Sequence, residues 1–210
     1  MKRINNILIV ANGGPEEKTF IKAQAAAADY IIALDGGADT ALKAGVMPDL
    51  ALGDLDSISQ AAKKKLGALR LLQITRQDNT DLEKGLDFTA FLKPKQVTII
   101  CATGGRIDFT LSNFSSVFSY TKKLNIVLKS KTWRIYPIEK TTIFPCKKGD
   151  TVSLMPMDNC QAVTLTNLKY PLKNAAFNPG QTAISNIALK NNFKVMMKQG
   201  KLLVMIIEKP

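Results

Sequence analysis

The sequence contains no histidine among its 210 residues. This absence excludes Ser-His-Asp and Cys-His catalytic arrangements, HExxH metalloprotease sites and any histidine general base. Chemistry near neutral pH must therefore use carboxylates or a bound hard cation.

Cysteine is also scarce. Cys101, Cys146 and Cys160 are an odd number and show no CxxC spacing. This pattern argues against both a disulfide framework and a zinc site. We expect all three to be buried, reduced thiols.

Long apolar runs are missing as well, since a membrane-spanning helix needs about 20 apolar residues. The longest candidates, Val97–Ala102 and Leu202–Ile207, have the length of strands. The run Ile7–Ala11 is too short for a signal peptide and ends in Asn-Gly-Gly, so we predict that it forms the first strand. We expect no membrane contact and a cytoplasmic location.

The formal net charge of +12 suits an anionic ligand, either nucleotide phosphates or a nucleic-acid backbone. The clusters Lys63–Lys65, Lys122–Lys123 and Lys147–Lys148 have no interleaved aromatic residues. Solvated surface therefore explains them better than nucleic-acid binding, which stays open as an alternative.

The first 130 residues alternate apolar runs of strand length with helical patterns. This alternation predicts an α/β domain with a mostly parallel, Rossmann-like sheet. Helices are predicted from Pro15 to Ala28 and from Ala38 to Ala44, and capping boxes at Ser57–Gln60 and Thr80–Glu83 mark two more helix starts. The predicted strands are Ile7–Ala11, Tyr30–Leu34, Leu50–Leu52, Leu69–Ile74, Val97–Ala102 and Ile126–Leu128.

The later residues form shorter apolar segments separated by Gly, Asn and Pro, which predicts a smaller all-β sandwich domain. We place the domain boundary between residues 132 and 133, giving domains 1–132 and 133–210. Gln199-Gly200 is predicted to be a hairpin turn. The predicted strands are Trp133–Ile138, Asp150–Met155, Ala162–Leu168, Phe193–Lys198 and Lys201–Ile207.

Five predicted strands end in loops rich in glycine and aspartate. In an open parallel sheet, ligands bind outside the carboxyl ends of the strands, so these loops are expected to meet at one edge. The loops are Asn12-Gly13-Gly14, Asp35-Gly36-Gly37, Gly53–Ser57, Gln77–Asp81 and Gly104–Asp108.

Asp54 and Asp56 are two residues apart, and in an extended segment such side chains point to the same side. Unpaired, the two carboxylates would repel each other, whereas Mg²⁺ would bind both. Asp81, with Asp35 or Asp78, is expected to complete the shell. Aspartate is also common in turns and at helix starts, which explains any one of them but fits the whole set less well.

Glycine and arginine supply the other half of a phosphate site. Glycine lets backbone amides approach an anion closely, and the Arg106 guanidinium can form two parallel hydrogen bonds to a phosphate. The sequence contains neither GxxxxGK[ST] nor GxGxxG, so a P-loop and a dinucleotide fingerprint are excluded. We therefore predict a carboxylate, metal and phosphate site of another type.

A series of motifs in this order resembles the thiamine pyrophosphokinase family. The resemblance implies an α/β nucleotide-binding domain, a β-sandwich that binds thiamine, and a homodimer with sites at the subunit interface. It also implies Mg²⁺-dependent transfer of pyrophosphate from ATP to the hydroxyl of thiamine. The motifs are DGGAD (35–39), PDLALGDLDS (48–57), QDNTDLE (77–83), GGRIDFTLSN (104–113), NLKYPL (167–172) and AISN (183–186).

Carried over residue by residue, the resemblance implies three groups of site residues. Asp54, Asp56 and Asp81 are the implied Mg²⁺ ligands and, with Arg106, the catalytic residues. Ser185 and Asn186 are the implied thiamine contacts. The implied nucleotide contacts are Asn12, Gly13, Asp35, Gly36, Gln77, Thr80, Arg106 and Asp108.

The sequence departs from the family pattern at three positions. Phe109 stands where many members have histidine, so catalysis here cannot need a polar group at that position. Ile187 replaces a commonly acidic residue. Asn167 replaces a glycine, and because asparagine tolerates left-handed backbone angles, we expect that turn to be retained.

Two other functions stay open at this stage. A different Mg²⁺-dependent nucleotide kinase or hydrolase would release ADP or hydrolyse ATP without an acceptor. A non-enzymatic nucleic-acid-binding protein would bind oligonucleotides in a salt-sensitive manner without turning over ATP.

Overall fold

The computed structural model describes residues 3–208, and the chain in it forms two compact units that divide between Lys131 and Thr132. No helix among the described residues is both long and apolar enough to span a membrane.

The first unit contains a sheet of six parallel strands, which confirms the predicted α/β fold class. The strand order is β6-β5-β1-β2-β3-β4, so β1 lies in the middle with β2 on one side and β5 on the other. The chain reverses direction across the sheet between β1 and β5, and such a switch point is where ligands bind in open sheets. The strands are β1 (Asn6–Val10), β2 (Tyr30–Leu34), β3 (Leu50–Gly53), β4 (Leu71–Gln73), β5 (Gln96–Ile100) and β6 (Ile126–Lys129).

The central strands are apolar throughout because they are buried on both faces. Ile9, Val10 and Ile32 have essentially no exposed surface. This double burial accounts for the uninterrupted apolar runs that marked these strands in the sequence.

Five helices connect the strands of the first unit. Thr80 forms the predicted capping box with Glu83. The box predicted at Ser57 is wrong, because the helix begins at Gln60 and Ser59 is its N-cap. The helices are α1 (Lys18–Ala26), α2 (Gly37–Lys43), α3 (Gln60–Leu66), α4 (Asp81–Leu92) and α5 (Ile107–Ser116), with short 3₁₀ helices at Ala68–Arg70 and Val117–Ser119.

The lysine cluster Lys63–Lys65 lies in the last turn of α3. Cations there complement the negative end of the helix dipole. Helix stability therefore accounts for this cluster without a nucleic-acid ligand.

The second unit contains two antiparallel sheets, which confirms the predicted β-sandwich. The strands β8, β11 and β12 were not predicted, since they are short and carry few consecutive apolar residues. One sheet contains β7 (Trp133–Ile138), β9 (Thr151–Pro156), β12 (Ala183–Ile187) and β14 (Leu202–Ile207), and the other contains β8 (Thr142–Pro145), β10 (Cys160–Thr166), β11 (Ala175–Phe177) and β13 (Asn192–Met196).

The hairpin predicted at Gln199-Gly200 is wrong. β13 pairs with β8 and β10, whereas β14 pairs with β7 and β9, so the turn carries the chain from one sheet to the other. The backbone N–H of Gln161 donates to the carbonyl of Gln199 at 3.0 Å. A local turn signal does not reveal which strand each segment will pair with.

The three cysteines are free thiols. Cys101 and Cys160 are buried as predicted, while Cys146 is only partly buried. Burial raises the pKa of Cys101 to about 11, so this side chain remains a neutral thiol at physiological pH.

Candidate active site

The predicted loops converge at the switch point of the first unit around a cavity of about 380 Å³. Side chains from the ends of β1, β2, β3 and β5 and from the starts of α4 and α5 line it. Eight of the predicted site residues are among them: Asn12, Gly13, Asp35, Asp54, Asp56, Thr80, Asp81 and Arg106.

Three predicted nucleotide contacts in the described chain lie outside this lining. Gly36 is buried, and a Cβ there would lie 2.5 Å from Asn12 Oδ1, so it makes room for Asn12. Gln77 is exposed in the loop before α4. Asp108 pairs with Arg106.

Three aspartates form the acidic part of the cavity, and we call them the acid cluster. Asp35, Asp54 and Asp81 each offer a carboxylate oxygen, and these oxygens lie within 4.8 Å of one another. Asp35 is buried, while the other two are partly exposed. Asp35 and Asp54 directly follow β2 and β3, and Asp81 is the first residue of α4, so three separate segments meet at one edge of the sheet.

Asp56 lines the same cavity but lies outside the acid cluster. The segment is not extended as the sequence suggested, because Leu55 adopts a left-handed φ of 65°. Alternation therefore does not bring Asp54 and Asp56 together. Instead the backbone N–H of Asp56 donates to Asp54 Oδ1 at 3.3 Å, and the Asp56 carboxylate accepts from Ser57 Oγ.

The carboxylates of the acid cluster lie close enough to repel one another. Burial raises the pKa of Asp35, and the nearby carboxylates of Asp81 and Asp56 raise it further, against a hydrogen bond from Ser57 that lowers it. A divalent cation bound to the same oxygens would stabilise the ionised form.

The donors and the space around them suit Mg²⁺. All three clustered groups are carboxylates, which this hard ion prefers. Gly53 supplies the room, since a Cβ there would lie 3.2 Å from both Asp35 Cβ and Asp81 Oδ1. Any side chain at this position would crowd the acid cluster.

Two aspartates of the DGGAD motif hold the loop that carries Asp54. Asp35 accepts a hydrogen bond from the backbone N–H of Ser57 at 3.2 Å. Asp39 accepts from both the backbone N–H and the hydroxyl of Ser59, at 2.9 and 2.5 Å. Together they fasten both the middle and the end of the loop to the segment that follows β2.

We expect Asp39→Ala to lower turnover by about tenfold, because it releases the loop that positions Asp54. Steady-state measurement of nucleotide turnover checks this. Asp29→Ala is the matched control, since Asp29 likewise accepts two hydrogen bonds, from the backbone N–H groups of Asn5 and Asn6, at the amino ends of the strands. Equal turnover in the two variants would contradict the positioning role of Asp39.

Lys84 is a site residue that the sequence analysis missed. Its side chain is 3% exposed, and its Nζ lies 2.9 Å from Asp81 Oδ1. Sequence periodicity gives no signal for its burial, because Lys84 is two residues from both Leu82 and Leu86 and so does not share their face of the helix.

Asn113 is a second residue without a predicted role. It is buried, lines the cavity and donates from Nδ2 to the carbonyl of Ala102 at 2.8 Å. This bond ties α5 to the end of β5, and so fixes the wall of the cavity that carries Arg106.

Arg106 is oriented by its neighbours in sequence. Asp108 accepts from its Nε and Nη2 at 3.1 and 2.5 Å, and the guanidinium carbon lies 4.7 Å from the centre of the Phe109 ring. The hydrogen bonds to Asp108 raise the pKa of Arg106, and those from Arg106 lower the pKa of Asp108. Phe109 thus provides a flat surface for the arginine, a role that needs no polar group.

The predicted thiamine contacts lie on β12 of the second unit. Asn186 is buried, accepts from the backbone N–H of Tyr170 at 2.9 Å and donates to the Tyr170 carbonyl at 2.6 Å. Ser185 is exposed and adopts a left-handed φ of 59°. The described structure gives Asn186 a structural role, and contacts with thiamine stay a prediction for both residues.

Asn167, which replaces a glycine of the family pattern, adopts a left-handed φ of 63°, as predicted. Its backbone carbonyl accepts from the N–H of Leu189 at 2.9 Å. The turn that glycine makes in the family pattern is therefore retained.

Comparisons with known proteins agree with this geometry. The family model described as thiamin pyrophosphokinase, catalytic domain, matches residues 21–128, and the model described as thiamin pyrophosphokinase, vitamin B1 binding domain, matches residues 138–202. The thiamine pyrophosphokinase of Bacillus subtilis (strain 168) is 32% identical over 184 residues, which cover 83% of this chain and 85% of that protein.

Solved structures are similar over nearly the whole chain. A thiamine pyrophosphokinase from Bacillus subtilis has a TM-score of 0.84 and 27% identity, covering 98% of this chain and 100% of its own. The yeast thiamin pyrophosphokinase has a TM-score of 0.82 at 17% identity, covering 99% and 87%, which shows the shared fold. These matches confirm the resemblance seen in the motifs: the chain belongs to the thiamine pyrophosphokinase family of enzymes.

Proposed function

We propose that the chain transfers the pyrophosphoryl group of ATP to the hydroxyl of thiamine, giving thiamine diphosphate and AMP. The observation that carries this proposal is the acid cluster at the switch point, with three carboxylate oxygens within 4.8 Å of one another. Arg106 lies on the wall of the same cavity, where it can face a phosphate. Acidic and cationic groups are thus arranged for a metal-bound nucleotide.

Asp54 and Asp81, together with Asp35, are the proposed Mg²⁺ ligands. Asp56, also predicted as a ligand, is proposed as a further acidic contact because it lines the same cavity. When bound, Mg²⁺ neutralises negative charge on the phosphate oxygens.

The proposed reaction breaks one phosphoanhydride bond and forms one ester bond. The hydroxyl oxygen of thiamine forms a bond to the β-phosphorus. The bond from the β-phosphorus to the oxygen that bridges the α- and β-phosphates breaks, and AMP leaves with the electron pair. The hydroxyl proton passes to a carboxylate. Both candidates are ion-paired, Asp78 with Arg76 at 2.8 Å and Asp81 with Lys84 at 2.9 Å. Of the two, Asp81 is the one that lines the cavity.

Arg106 stabilises the transferred group in this proposal. Its planar guanidinium offers several N–H donors to phosphate oxygens, and charge that develops during transfer strengthens those bonds. Asp108 and Phe109 hold the guanidinium in place before the substrate arrives. Less reorganisation is then needed at the moment of reaction.

The roles of the two units and the partner chain are proposed with the function. Residues 1–132 would bind ATP and Mg²⁺, and residues 133–210 would bind thiamine through Ser185 and Asn186. Support for a homodimer comes from α5, which exposes Ile107 and Leu111 one turn apart. The cytoplasmic location stays a prediction from the sequence.

The test is to incubate the protein with ATP, Mg²⁺ and thiamine and to identify both products by chromatography and ³¹P NMR. We expect AMP and thiamine diphosphate in equal amounts, and no turnover without thiamine. ADP with thiamine monophosphate would show an ordinary kinase, and ATP consumption without thiamine would show a hydrolase. Either result would overturn the proposed function.

A further inference from the structure

Lys84 is a buried cation at the edge of the acid cluster. It lies in the first turns of α4, three residues after Asp81, and its side chain is 3% exposed. Its Nζ donates to Asp81 Oδ1 at 2.9 Å.

Stability does not account for a lysine at this position. Burying an ammonium costs free energy, and a positive charge near a helix N-terminus opposes the helix dipole. An apolar side chain of similar length would avoid both costs but would leave the Asp81 carboxylate without its cation. What the lysine supplies at this position is therefore its charge beside the carboxylates.

The charges of the acid cluster supply that reason. Asp35, Asp54 and Asp81 carry three negative charges when ionised, and the Lys84 ammonium offsets one of them. Within the acid cluster two negative charges remain, which one divalent cation neutralises, while Asp56 adds a further carboxylate to the cavity outside the cluster.

We propose that Lys84 is a positioning residue that fixes the Asp81 carboxylate and sets the charge of the acid cluster to match a single divalent cation. This inference rests on the proposed function, because it takes the acid cluster as the Mg²⁺ site. It adds a specificity determinant that acts through the Asp81 carboxylate.

The proposal predicts that Lys84 affects the relative affinities of the site for divalent and trivalent ions. A fixed positive charge repels a bound ion in proportion to the charge of that ion, so it disfavours a trivalent ion more than a divalent one. Loss of the positioning contact would affect both ions alike, since both bind the same oxygens. The ratio of the two affinities therefore isolates the charge of Lys84.

The experiment measures two probe ions on the full chain without nucleotide: Mn²⁺ by electron paramagnetic resonance and Tb³⁺ by luminescence. In Lys84→Met we expect the preference for Tb³⁺ over Mn²⁺ to rise by about tenfold. Lys84→Arg keeps the charge, and Lys64→Met removes an exposed charge on α3. Both should retain the wild-type ratio.

Thermal unfolding of the same variants separates this role from a structural one. Without metal, we expect Lys84→Met to unfold below the wild-type temperature, because Asp81 loses its partner beside two other carboxylates. Saturating Mn²⁺ should reduce this difference, whereas a merely structural role would leave it unchanged. If that variant does not fold, Lys84→Gln provides a neutral replacement that keeps a polar end.

The outcomes distinguish this inference from the proposed function. An unchanged ion ratio in a folded, uncharged variant would overturn the role of Lys84, even in a wild-type protein that makes thiamine diphosphate. Wild-type protein that binds neither ion would overturn the inference together with the metal site. A raised Tb³⁺ preference supports the inference whatever products the turnover assay shows.

Discussion

Asp54→Asn is expected to lower turnover by about a thousandfold, because it removes one of the three charges of the acid cluster while keeping the shape of the side chain. An amide oxygen is a weaker ligand for a hard cation than a carboxylate oxygen. The measurement is the steady-state rate of AMP formation with saturating ATP, Mg²⁺ and thiamine. Circular dichroism should show an unchanged fold.

Asp49→Asn is the matched control for this prediction. Asp49 and Asp54 flank the two ends of β3, and Asp49 accepts the backbone N–H of Ile31 at 2.8 Å at the end away from the cavity. An asparagine oxygen can accept the same bond, so turnover should stay near wild type. A folded Asp54→Asn variant with wild-type turnover would refute the metal assignment.

Comparing Asp56→Asn with Asp54→Asn tests whether the two aspartates have different roles. The sequence predicts both Asp54 and Asp56 as metal ligands, whereas of these two only Asp54 belongs to the acid cluster in the structure. We expect a smaller loss for Asp56→Asn, between that of Asp54→Asn and the control. Equal losses would mean that both carboxylates bind the metal in the working enzyme.

The convergence of the acid cluster could be predicted because it follows from topology. Parallel strands end at a common edge, so aspartates after β2 and β3 and before α4 had to meet there. The left-handed backbone at Leu55 could not be predicted, since a leucine rarely adopts a positive φ. For that reason the expected alternation of Asp54 and Asp56 did not hold.

The burial of Lys84 could not be predicted from the sequence either, because it depends on tertiary packing. A lysine in a helix is usually exposed, and only the packing of α4 against the sheet shows that this one is enclosed. The same packing leaves little space at Gly85, where a Cβ would lie 2.6 Å from Leu34 Cδ2. The sequence shows the helix start clearly, but the environment of each side chain depends on residues far away in the chain.

Local signals failed where distant contacts decide the outcome. Ser57 matches a capping box, yet its backbone N–H donates to Asp35, so Ser59 becomes the N-cap of α3. Gln199-Gly200 matches a hairpin, yet the strands on either side pair in different sheets. In both cases a partner remote in sequence overrides the local preference.

Gly13→Ala is expected to lower turnover by about a hundredfold and the free energy of unfolding by about 2 kcal/mol. A Cβ at Gly13 would lie 2.4 Å from the Cys101 carbonyl oxygen and 2.7 Å from that of Thr103. Both contacts are with backbone, which cannot rotate away. The loops after β1 and β5 would have to separate.

These loops form the floor of the cavity at the switch point, and hydrogen bonds hold them together. The backbone N–H of Gly13 donates to the Cys101 carbonyl at 2.8 Å, and that of Gly14 donates to the Thr103 carbonyl at 2.7 Å. Separation would break both bonds and move Arg106, which follows in the second loop. The effect on turnover should therefore exceed what the loss of stability alone would cause.

Gly105→Ala is the control, because Gly105 lines the same cavity but tolerates a methyl group. Its nearest neighbour to a new Cβ is Gly13 Cα at 3.4 Å, an ordinary contact. Steady-state kinetics and urea unfolding of both variants provide the comparison. If Gly13→Ala retains the turnover and stability of Gly105→Ala, the close approach of the two loops is not what shapes the cavity.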